Sequence, residues 1–437
     1  MNTVKNLFKK VIVSLLTLEA KAILRKYKPR IVAITGNVGK TSTKDAIYTV
    51  LAPHVYVRKS EKSFNSEIGI PLTILGCPNG WSNPFIWIEN LLDGLVLILF
   101  KSEYPEWLVL EVGADRPRDI SNVAKWLPID IAVITRLPDV PVHVEFFDSP
   151  EEVIEEKASM LRGLKPDGVF IANADDPKVL ALRDNVPGQS TTFGFSLGSD
   201  VMGTSLSLLS QDSGRGLPVG ISATVSYEDS SEKGELQVFG TMGTQAVLPL
   251  LSALSVGKVL NYPLAESLRA LSLHIPPPGR MRLIPGLKDT LIIDDTYNAS
   301  PAATSAALDA LVLAGKSNRT IVALGDMLEL GRYSVEQHKE VGRKVADVAS
   351  MLITVGFRAR DIAEGALQAG MNESAIMQFE DAGKAGKYLE GILEAGDVIL
   401  VKGSQSIRME KTVEEIMLEP EKAEELLVRQ EEEWRKR

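Results

Sequence analysis

The stretch Ile31-Val-Ala-Ile-Thr-Gly-Asn-Val-Gly-Lys-Thr-Ser-Thr43 decides the fold of the region around it. An apolar, β-branched run ends in a turn with two glycines, and a helix-compatible segment follows as far as Leu51. A strand, a tight turn and a helix in this order place backbone N–H groups and the positive end of the helix around an anion. Lys40 can then neutralise phosphate charge, and the hydroxyl of Thr41 is placed to ligate Mg²⁺. The stretch predicts a site for a nucleoside triphosphate.

The loop is shorter than the usual phosphate-binding pattern. Ile34 stands where the longer pattern has a glycine. A strand–turn–helix connection with a chance Gly-Lys-Thr is the alternative interpretation, but the strand before it and the helix after it favour phosphate binding. The residues predicted to cradle the nucleotide are Gly36, Asn37, Gly39, Lys40, Thr41 and Ser42.

The composition is that of an ordinary globular protein with room for two or three domains. The chain has 437 residues, of which 45% are hydrophobic and 24% charged. Its net charge of −9 gives no electrostatic reason to expect a nucleic-acid partner. A single cysteine, Cys77, excludes an internal disulfide framework and suits a reducing cytoplasm.

Apolar runs alternate with helix-like segments along the whole chain, which predicts an α/β fold with parallel sheets. A small antiparallel extension is expected at 221–240, and the Pro-rich segment 275–280 indicates a hinge. The predicted strands of the first unit are Ile31–Thr35, Trp107–Val112, Ile129–Thr135 and Gly168–Ala172. Those of the second unit are Leu291–Thr296, Thr320–Gly325, Met351–Gly356 and Val398–Val401.

This pattern divides the chain into four parts. A helix at residues 1–29 precedes a central nucleotide-binding domain at 30–275. A second α/β domain occupies residues 276–418, and a charged tail of residues 419–437 is expected to be a solvated helix without chemistry.

The first segment has two interpretations. Lys5, Lys9 and Lys10 before the apolar run 11–18 are typical of a signal peptide, but Glu19 interrupts the flank and the run is short. Helical spacing of the apolar residues favours an uncleaved amphipathic helix instead. The positions with this spacing are Val4, Leu7, Phe8, Val11, Leu15, Leu18 and Ala22.

A second apolar stretch, at residues 83–100, is interrupted by Glu89, Asn90 and Asp93. It therefore lacks the roughly 20 uninterrupted apolar residues that a membrane span needs. One interpretation is a helix that is buried or packed against a partner. The other is a surface that rests on a membrane together with the basic helix at residues 1–27.

Several polar residues follow predicted strands. Glu111, at the end of its strand, is well placed to hold Mg²⁺ opposite the phosphate loop. Local pattern alone favours ordinary roles elsewhere: a structural histidine for His143, a surface ion pair for Lys157 and a turn for Asn173. In the second unit the strand-to-helix junction at 294–301 is typical of a site.

Taken together, these segments resemble the Mur ligase family, and most closely its MurF type, over residues 30–415. The matching segments are Thr35-Gly-Asn-Val-Gly-Lys-Thr-Ser42, Asn65-Ser-Glu-Ile-Gly-Ile-Pro-Leu72, Glu111-Val-Gly-Ala114, His143-Val-Glu145, Lys157, Asn173-Ala-Asp-Asp176, Gly279-Arg280, Asp294-Asp-Thr-Tyr-Asn298, Leu324-Gly-Asp-Met-Leu-Glu-Leu-Gly331 and Val401-Lys-Gly-Ser404. The resemblance implies a P-loop central domain with a parallel sheet, followed by a Rossmann-like C-terminal domain.

The resemblance also implies an ATP-dependent amide ligase that works in the cytoplasm. A substrate carboxylate takes the γ-phosphate to give an acyl phosphate and ADP, and an amine then displaces phosphate. In the MurF type the amine is D-alanyl-D-alanine and the acid is a UDP-muramyl tripeptide, a step of peptidoglycan precursor synthesis. The alternatives are a related ligase with another amino acid or a lipid-linked or peptide acceptor, and a non-catalytic ATP-binding partner subunit.

Residue roles follow from the resemblance by position. Thr41 and Glu111 would hold a first Mg²⁺ and His143 a second. Lys157 would be carbamylated by CO₂ and would join the metal ligands, and Lys40, Lys157 and His143 form the catalytic set. The remaining nucleotide contacts that the resemblance implies are Asn173, Arg280, Asp295, Tyr297 and Asn298.

Two departures from the family pattern concern the acceptor. About 29 residues precede the first strand where MurF-type ligases have a domain for the UDP-sugar, and residues 76–104 resemble an insertion. The UDP end would then be held by a partner protein, or the acceptor would differ, or it would be presented at a membrane through residues 1–27 and 83–100.

Overall fold

The computed structural model describes residues 2–61, 64–81, 83–186, 188–210, 217–230, 232–315 and 318–435. In the first helix, side chains are described from Val11 onward. In the last helix, they are described for Glu432 and Trp434. The predicted apolar positions Val4, Leu7 and Phe8 and the basic positions Lys5, Lys9 and Lys10 lie outside the described side chains.

The first domain is built on a sheet in which nine strands are described. Their order is β2-β3-β1-β4-β5-β6-β7-β8-β9; neighbours from β2 to β7 are parallel, and β7, β8 and β9 are antiparallel. The parallel sheet and its antiparallel extension are thereby confirmed. The strands are β1 (Arg30–Thr35), β2 (Val57–Lys59), β3 (Trp107–Glu111), β4 (Ile129–Ile134), β5 (Leu164–Asn173), β6 (Gln189–Gly194), β7 (Val201–Ser210), β8 (Pro218–Tyr227) and β9 (Lys233–Phe239).

Helices cover both faces of this sheet. Alternate strand residues point to opposite sides, so Ile31 packs with the core that includes α1 and α3, whereas Val32 packs with the core that includes α2 and α8. The helices are α1 (Asn2–Tyr27), α2 (Lys40–Leu51), α3 (Gly69–Leu75), α4 (Pro84–Leu99), α5 (Asp119–Ala124), α6 (Pro150–Ala158), α7 (Pro177–Leu180), α8 (Thr244–Val259) and α9 (Leu264–Ser272).

The second domain is built on a smaller sheet of order β10-β11-β15-β12-β13-β14, in which only β10 runs antiparallel to its described neighbour. The polar segments after β11, β12 and β15 meet at one edge because these strands are adjacent and parallel. The strands are β10 (Arg282–Gly286), β11 (Thr290–Asp295), β12 (Thr320–Gly325), β13 (Met351–Val355), β14 (Ile376–Phe379) and β15 (Val398–Lys402). The helices are α10 (Pro301–Ala314), α11 (Ser334–Val348), α12 (Arg360–Gln368), α13 (Ala382–Ile392), α14 (Glu410–Ile416), α15 (Ala423–Leu426) and α16 (Glu432–Arg435).

The tail differs from the prediction of a solvated helix. Leu427, Val428 and Arg429 are buried against the second domain, and only short helices form. Arg429 donates hydrogen bonds to the carbonyl oxygens of Thr296 and Tyr297. The prediction of a solvated tail is therefore wrong here, because two apolar residues and one buried cation anchor this segment beside the junction at 294–301.

The helix at the start of the chain is present, but its predicted apolar face is not the face that enters the core. Residues such as Ile12, Leu16 and Ile23 are buried, whereas Val11 and Leu15, from the predicted stripe, are exposed. The helix is apolar on two sides, so the sequence pattern alone does not say which side packs. No helix among the described residues combines the length and apolar character that crossing a bilayer requires.

Candidate active site

The phosphate loop joins β1 to α2 through two glycines in conformations that other residues adopt only with strain. Gly36 has φ of 138° and Gly39 has φ of 85°. A Cβ atom at Gly36 would lie 2.1 Å from Oγ1 of Thr135, so the strand end could not approach so closely with any other residue. The Nζ of Lys40 donates a hydrogen bond of 2.9 Å to the carbonyl oxygen of Gly36, which folds this side chain back over the loop.

The end of β4 holds the loop in place. The amide N–H of Asn37 donates to the carbonyl oxygen of Arg136 at 2.8 Å, and Oγ1 of Thr135 donates to the carbonyl oxygen of Val38 at 2.7 Å. Both amide atoms of the Asn37 side chain are buried without a hydrogen-bond partner in the described part of the chain. The loop is thus fixed by its neighbours while polar groups remain available to a ligand.

A hydroxyl and a carboxylate meet at the start of α2. Oγ1 of Thr41 donates to Oε2 of Glu111 at 2.9 Å, and Nδ2 of Asn65 lies 3.5 Å from Oε1 of the same carboxylate. Glu111 is buried, and its backbone N–H donates to Oγ of Ser60. Hydroxyl and carboxylate oxygens are the ligands that Mg²⁺ takes in nucleotide sites, so this pair fits the predicted first metal position.

Lys157, in the last turn of α6, is almost completely buried. Burial, and secondarily the charge of Lys40, lowers the pKa of its amine to about 7. The nearby acidic groups Asp115, Glu156 and Asp119 oppose this shift without cancelling it. No hydrogen bond or ion pair to the amine is found among the described residues. The helix thus places a buried primary amine with a lowered pKa beside the phosphate loop, and not the surface ion pair that local pattern favoured.

His143 links the two domains. Its backbone has a left-handed φ of 70°, which turns the imidazole toward the second domain, where Nδ1 lies 2.7 Å from Oε2 of Glu329. Nε2 lies 3.6 Å from Oδ1 of Asp115. Contact with the imidazole lowers the pKa of the Glu329 carboxyl. Metal ligation by His143 stays a prediction, since here the ring pairs with carboxylates on both sides.

Arg280 reaches the phosphate loop from the hinge between the domains. Its guanidinium lies 3.9 Å from the ring centroid of Tyr297, and one terminal nitrogen lies 3.4 Å from Oγ1 of Thr41. Its Nε is buried without a hydrogen-bond partner among the described residues. A cation held flat on an aromatic ring, with an unused donor beside the loop, is well suited to bind phosphate.

Three other residues that were predicted to contact the nucleotide make hydrogen bonds or ion pairs within the protein. Oδ2 of Asp295 lies 2.5 Å from Nζ of Lys402, which also donates to the carbonyl oxygen of Asn298. Nδ2 of Asn173 donates to the carbonyl oxygen of Thr135 at 2.7 Å. These bonds shape the loops that carry Tyr297 and Arg136. Direct nucleotide contact by Asp295, Asn298 and Asn173 stays a prediction.

A pocket beside the phosphate loop adds residues that sequence reasoning missed. Phe193 and Pro249 form apolar walls, and both amide atoms of Gln245 are buried there without hydrogen-bond partners among the described residues. Apolar walls with a few polar groups are the usual lining of a small-molecule site. No local signal marks Gln245, because it lies in the first turn of α8 and becomes part of the site only when α8 packs against α2.

Among the described residues, no group of three or more His, Cys, Asp or Glu side chains has an arrangement that could by itself hold a metal ion. The candidate metal position therefore consists of the Thr41 hydroxyl and the Glu111 carboxylate, with His143 and Lys157 as the further predicted ligands. Ser42 completes the first turn of α2.

The site combines a phosphate loop, a pair of oxygen ligands and a second α/β domain that reaches into the cleft. Comparison with known proteins shows that the chain belongs to the Mur ligase family. The family model "Mur ligase middle domain" matches residues 88–246, and "Mur ligase, glutamate ligase domain" matches residues 279–405. The resemblance found in the sequence is thereby confirmed.

Among curated relatives, the UDP-N-acetylmuramoyl-tripeptide–D-alanyl-D-alanine ligase of Bacillus subtilis is 28% identical over 92% of this chain and 79% of its own length. The same-named ligase of Haemophilus influenzae is 27% identical over 90% of this chain and 78% of its own. A crystal structure of MurF from Thermotoga maritima in complex with ADP matches with a TM-score of 0.74 at 26% identity. The match covers 94% of this chain and 84% of the Thermotoga maritima chain.

Proposed function

We propose that this chain is an ATP-dependent amide ligase that works through an acyl phosphate. The observation that carries the proposal is the convergence of Lys40, the Thr41–Glu111 pair and Arg280 on one phosphate loop from both domains. Phosphoryl transfer needs positioning and charge neutralisation more than a protein nucleophile, and these groups supply both. The ADP complex of the Thermotoga maritima MurF supports ATP as the nucleotide.

The reaction has two steps. An oxygen of the acceptor carboxylate forms a bond to the γ-phosphorus of ATP as the bond to the β–γ bridging oxygen breaks and ADP leaves. The amine of the second substrate then attacks the acyl carbon, inorganic phosphate leaves, and the amine loses a proton to give the amide. The positive charges of Lys40 and Arg280 face the phosphate charge that moves during the first step.

We propose that two Mg²⁺ ions serve this site, the first held by Thr41 and Glu111 and the second by His143 and Lys157. Mg²⁺ supplies charge neutralisation for the phosphate oxygens. The neutral amine of Lys157 would bond to CO₂ and release a proton, which gives a carbamate anion. The burial of Lys157 and the low pKa of its amine support this modification, because only the uncharged amine is nucleophilic.

For substrates, we propose D-alanyl-D-alanine and a UDP-muramyl tripeptide in peptidoglycan precursor synthesis, in the cytoplasm. The names of the Bacillus subtilis and Haemophilus influenzae relatives support this choice.

A second candidate is a ligase that acts on a lipid-linked or peptide acceptor, or with another amino acid. The exposed apolar residues of α1 and α4 favour this candidate, because they suit peripheral membrane contact through residues 1–27 and 83–100. A non-catalytic ATP-binding subunit is the third alternative, which the presence of Lys40, Glu111, His143 and Lys157 in one cleft disfavours.

The test is ADP release by purified protein with ATP and Mg²⁺, with D-alanyl-D-alanine and UDP-muramyl tripeptide supplied separately and together. Release only with both, together with the mass of the amide product, would support the leading proposal. Release with another amino acid or a lipid-linked acceptor would support the second. Measurable ATP binding with no release under any of these conditions would contradict the ligase proposal and leave a binding subunit.

A further inference from the structure

Two neighbouring helices of the first domain expose apolar side chains that the core does not use. We call this surface the α1–α4 face. Its members are between 41% and 77% exposed, although each is a large hydrophobic residue. They are Val11, Leu15 and Leu18 on α1 and Phe85, Ile88, Leu92, Leu95, Val96 and Leu99 on α4.

The face is not the result of poor packing, because each helix also has a buried side. On α1 the side toward the core includes Ile12, Leu16 and Ala20, and on α4 it includes Trp87 and Gly94. The exposed residues of α4 recur at intervals of three and four, which places them along one stripe of the helix. Each helix therefore has a second apolar side that the described residues leave exposed.

The two helices lie side by side and run in the same direction. The carboxylate of Glu19 lies against Gly94, where a Cβ atom would be only 2.2 Å from its Oε2. One to two turns further along both helices, Nζ of Lys26 donates to the carbonyl oxygens of Leu97 and Ile98. Parallel neighbours can place both exposed stripes along one plane, as a flat apolar layer requires.

The first 29 residues, which include α1, have a charge opposite in sign to that of the whole chain. Residues 1–29 contain seven Lys or Arg and one Glu, a local charge of +6 in a chain of net charge −9. Arg25 and Lys28 are exposed near the end of α1, and Lys101 is exposed just after α4. Lys26 is held against the end of α4, next to Leu99 and Phe100. The acidic residues of α4, Glu89 and Asp93, lie along one edge of the exposed apolar stripe on this helix.

We propose that the α1–α4 face rests on an anionic lipid bilayer, with both helices in the plane of the interface. Large apolar side chains would enter the boundary between headgroups and acyl chains, and the exposed Arg25, Lys28 and Lys101 would pair with lipid phosphates. A second copy of this chain fits the face less well, because a two-fold contact would bring the two +6 segments together. Trp81, exposed near the start of α4, is of the type that favours this boundary.

The inference does not rest on the ligase proposal, since it depends only on the apolar stripes and the charge. Vesicle binding needs neither ATP nor acceptor, so a failed ligase assay and a failed membrane assay are distinct results.

The experiment is flotation of the full chain with vesicles of phosphatidylcholine alone and of phosphatidylcholine mixed with phosphatidylglycerol. We expect binding to the anionic vesicles that weakens as salt is raised. The double variant Ile88→Ser with Leu92→Ser should bind at least about tenfold more weakly, since it removes two apolar anchors from the stripe. Arg25→Gln with Lys28→Gln should weaken binding to the anionic vesicles selectively.

The matched control is Leu197→Ser with Phe357→Ser, which removes side chains that are 92% and 76% exposed elsewhere on the molecule. This control should float like the unmodified chain, and ATP binding by calorimetry should be equal in all variants. Absence of flotation by the unmodified chain, or flotation that the Ile88/Leu92 variant leaves unchanged, would overturn the proposal. A concentration-dependent dimer in sedimentation that the same variant abolishes would assign the face to a second copy instead.

Discussion

Lys157 occupies an environment that opposes its usual charge. A protonated lysine in the unfolded chain is hydrated, whereas the folded chain buries the amine beside Lys40 and lowers its pKa to about 7. Folding therefore costs free energy at every pH below about 10.5, and the cost grows until the pH falls to about 7. A buried group that destabilises the fold is typical of a functional site.

Replacing Lys157 with Met should raise the stability of the chain while abolishing ligase activity. Met keeps the length of the side chain and removes the ionisable group, so the free energy of unfolding near pH 7 should rise by about 2–4 kcal/mol. Urea unfolding measures this change, with the exposed Lys387→Met as control. An unchanged or lower stability of Lys157→Met would show that the amine finds a compensating partner.

The carbamate proposal has its own test in Lys157→Ala. This variant should lose turnover, and short carboxylic acids should restore part of it, because a small carboxylate can occupy the space of the missing carbamate. ADP release with and without added acetate or formate measures the rescue. Full activity of Lys157→Ala without any additive would remove this lysine from the mechanism.

The assignment of the loop at residues 36–42 to phosphate binding depends most on Lys40. Lys40→Ala should reduce ATP turnover by roughly a thousandfold or more, since it removes a charge that faces the transferred phosphoryl group. ADP release measures turnover, and circular dichroism checks that the fold persists. Lys59→Ala, which removes a surface partner of Asp45, is the control. Preserved turnover in Lys40→Ala would contradict the phosphate assignment.

At the scale of elements, the packing of α1 on α4 includes one unfavourable group. Oε2 of Glu19 is buried without a hydrogen-bond partner among the described residues, and burial raises the pKa of this carboxyl to about 7. A raised carboxyl pKa means that the folded state holds the proton more tightly than the unfolded chain does. The penalty is absent below about pH 4.5, grows between pH 4.5 and 7, and is complete above that.

Glu19→Gln should therefore stabilise the chain at about pH 8 by about 1 kcal/mol, a figure reduced for the partial exposure of the side chain. At about pH 4.5 the variant and the unmodified chain should be nearly equal. Urea unfolding at both pH values measures the difference, and Glu103→Gln, in an exposed loop, is the control. A gain of equal size at both pH values would show that charge is not the cause.

The elements themselves differ in how well the sequence predicts them. Buried parallel strands such as β3, β4 and β12 are continuous apolar runs, and their predicted bounds agree with the structure to within a residue or so. The three-residue β2 and the partly polar β7 were not predicted. Neither contains an apolar run, or an alternation of apolar and polar residues, that is long enough to indicate a strand. Their strand geometry comes from pairing with neighbours in the sheet.

At the scale of the whole molecule, three contacts connect the domains and the tail to the site. Arg280 reaches Thr41 from the hinge, and His143 meets Glu329 across the cleft. Arg429 of the tail binds the loop that carries Tyr297 and also pairs with the buried Glu410. The aromatic platform for Arg280 is therefore anchored by residues far along the chain.

Arg429→Met should cost about 2–4 kcal/mol of stability, because it leaves the buried Glu410 with one cation fewer. It should also raise the KM for ATP more than it lowers kcat, since the Tyr297 loop positions Arg280 and does not take part in bond making. Urea unfolding and steady-state kinetics measure the two effects, with the exposed Arg343→Met as control. An unchanged KM would show that the tail supports stability alone.

The family, the α/β class and the phosphate loop can be predicted from the sequence alone, because they depend on local order: apolar runs, two glycines and a Lys-Thr pair at fixed spacing. The folded chain alone shows that Lys157 is buried, that Gln245 lines the pocket and that Arg429 reaches the Tyr297 loop. It also shows which side of α1 enters the core. Each of these depends on contacts between residues distant in the chain, and burial, pKa and exposed surface are properties of such contacts.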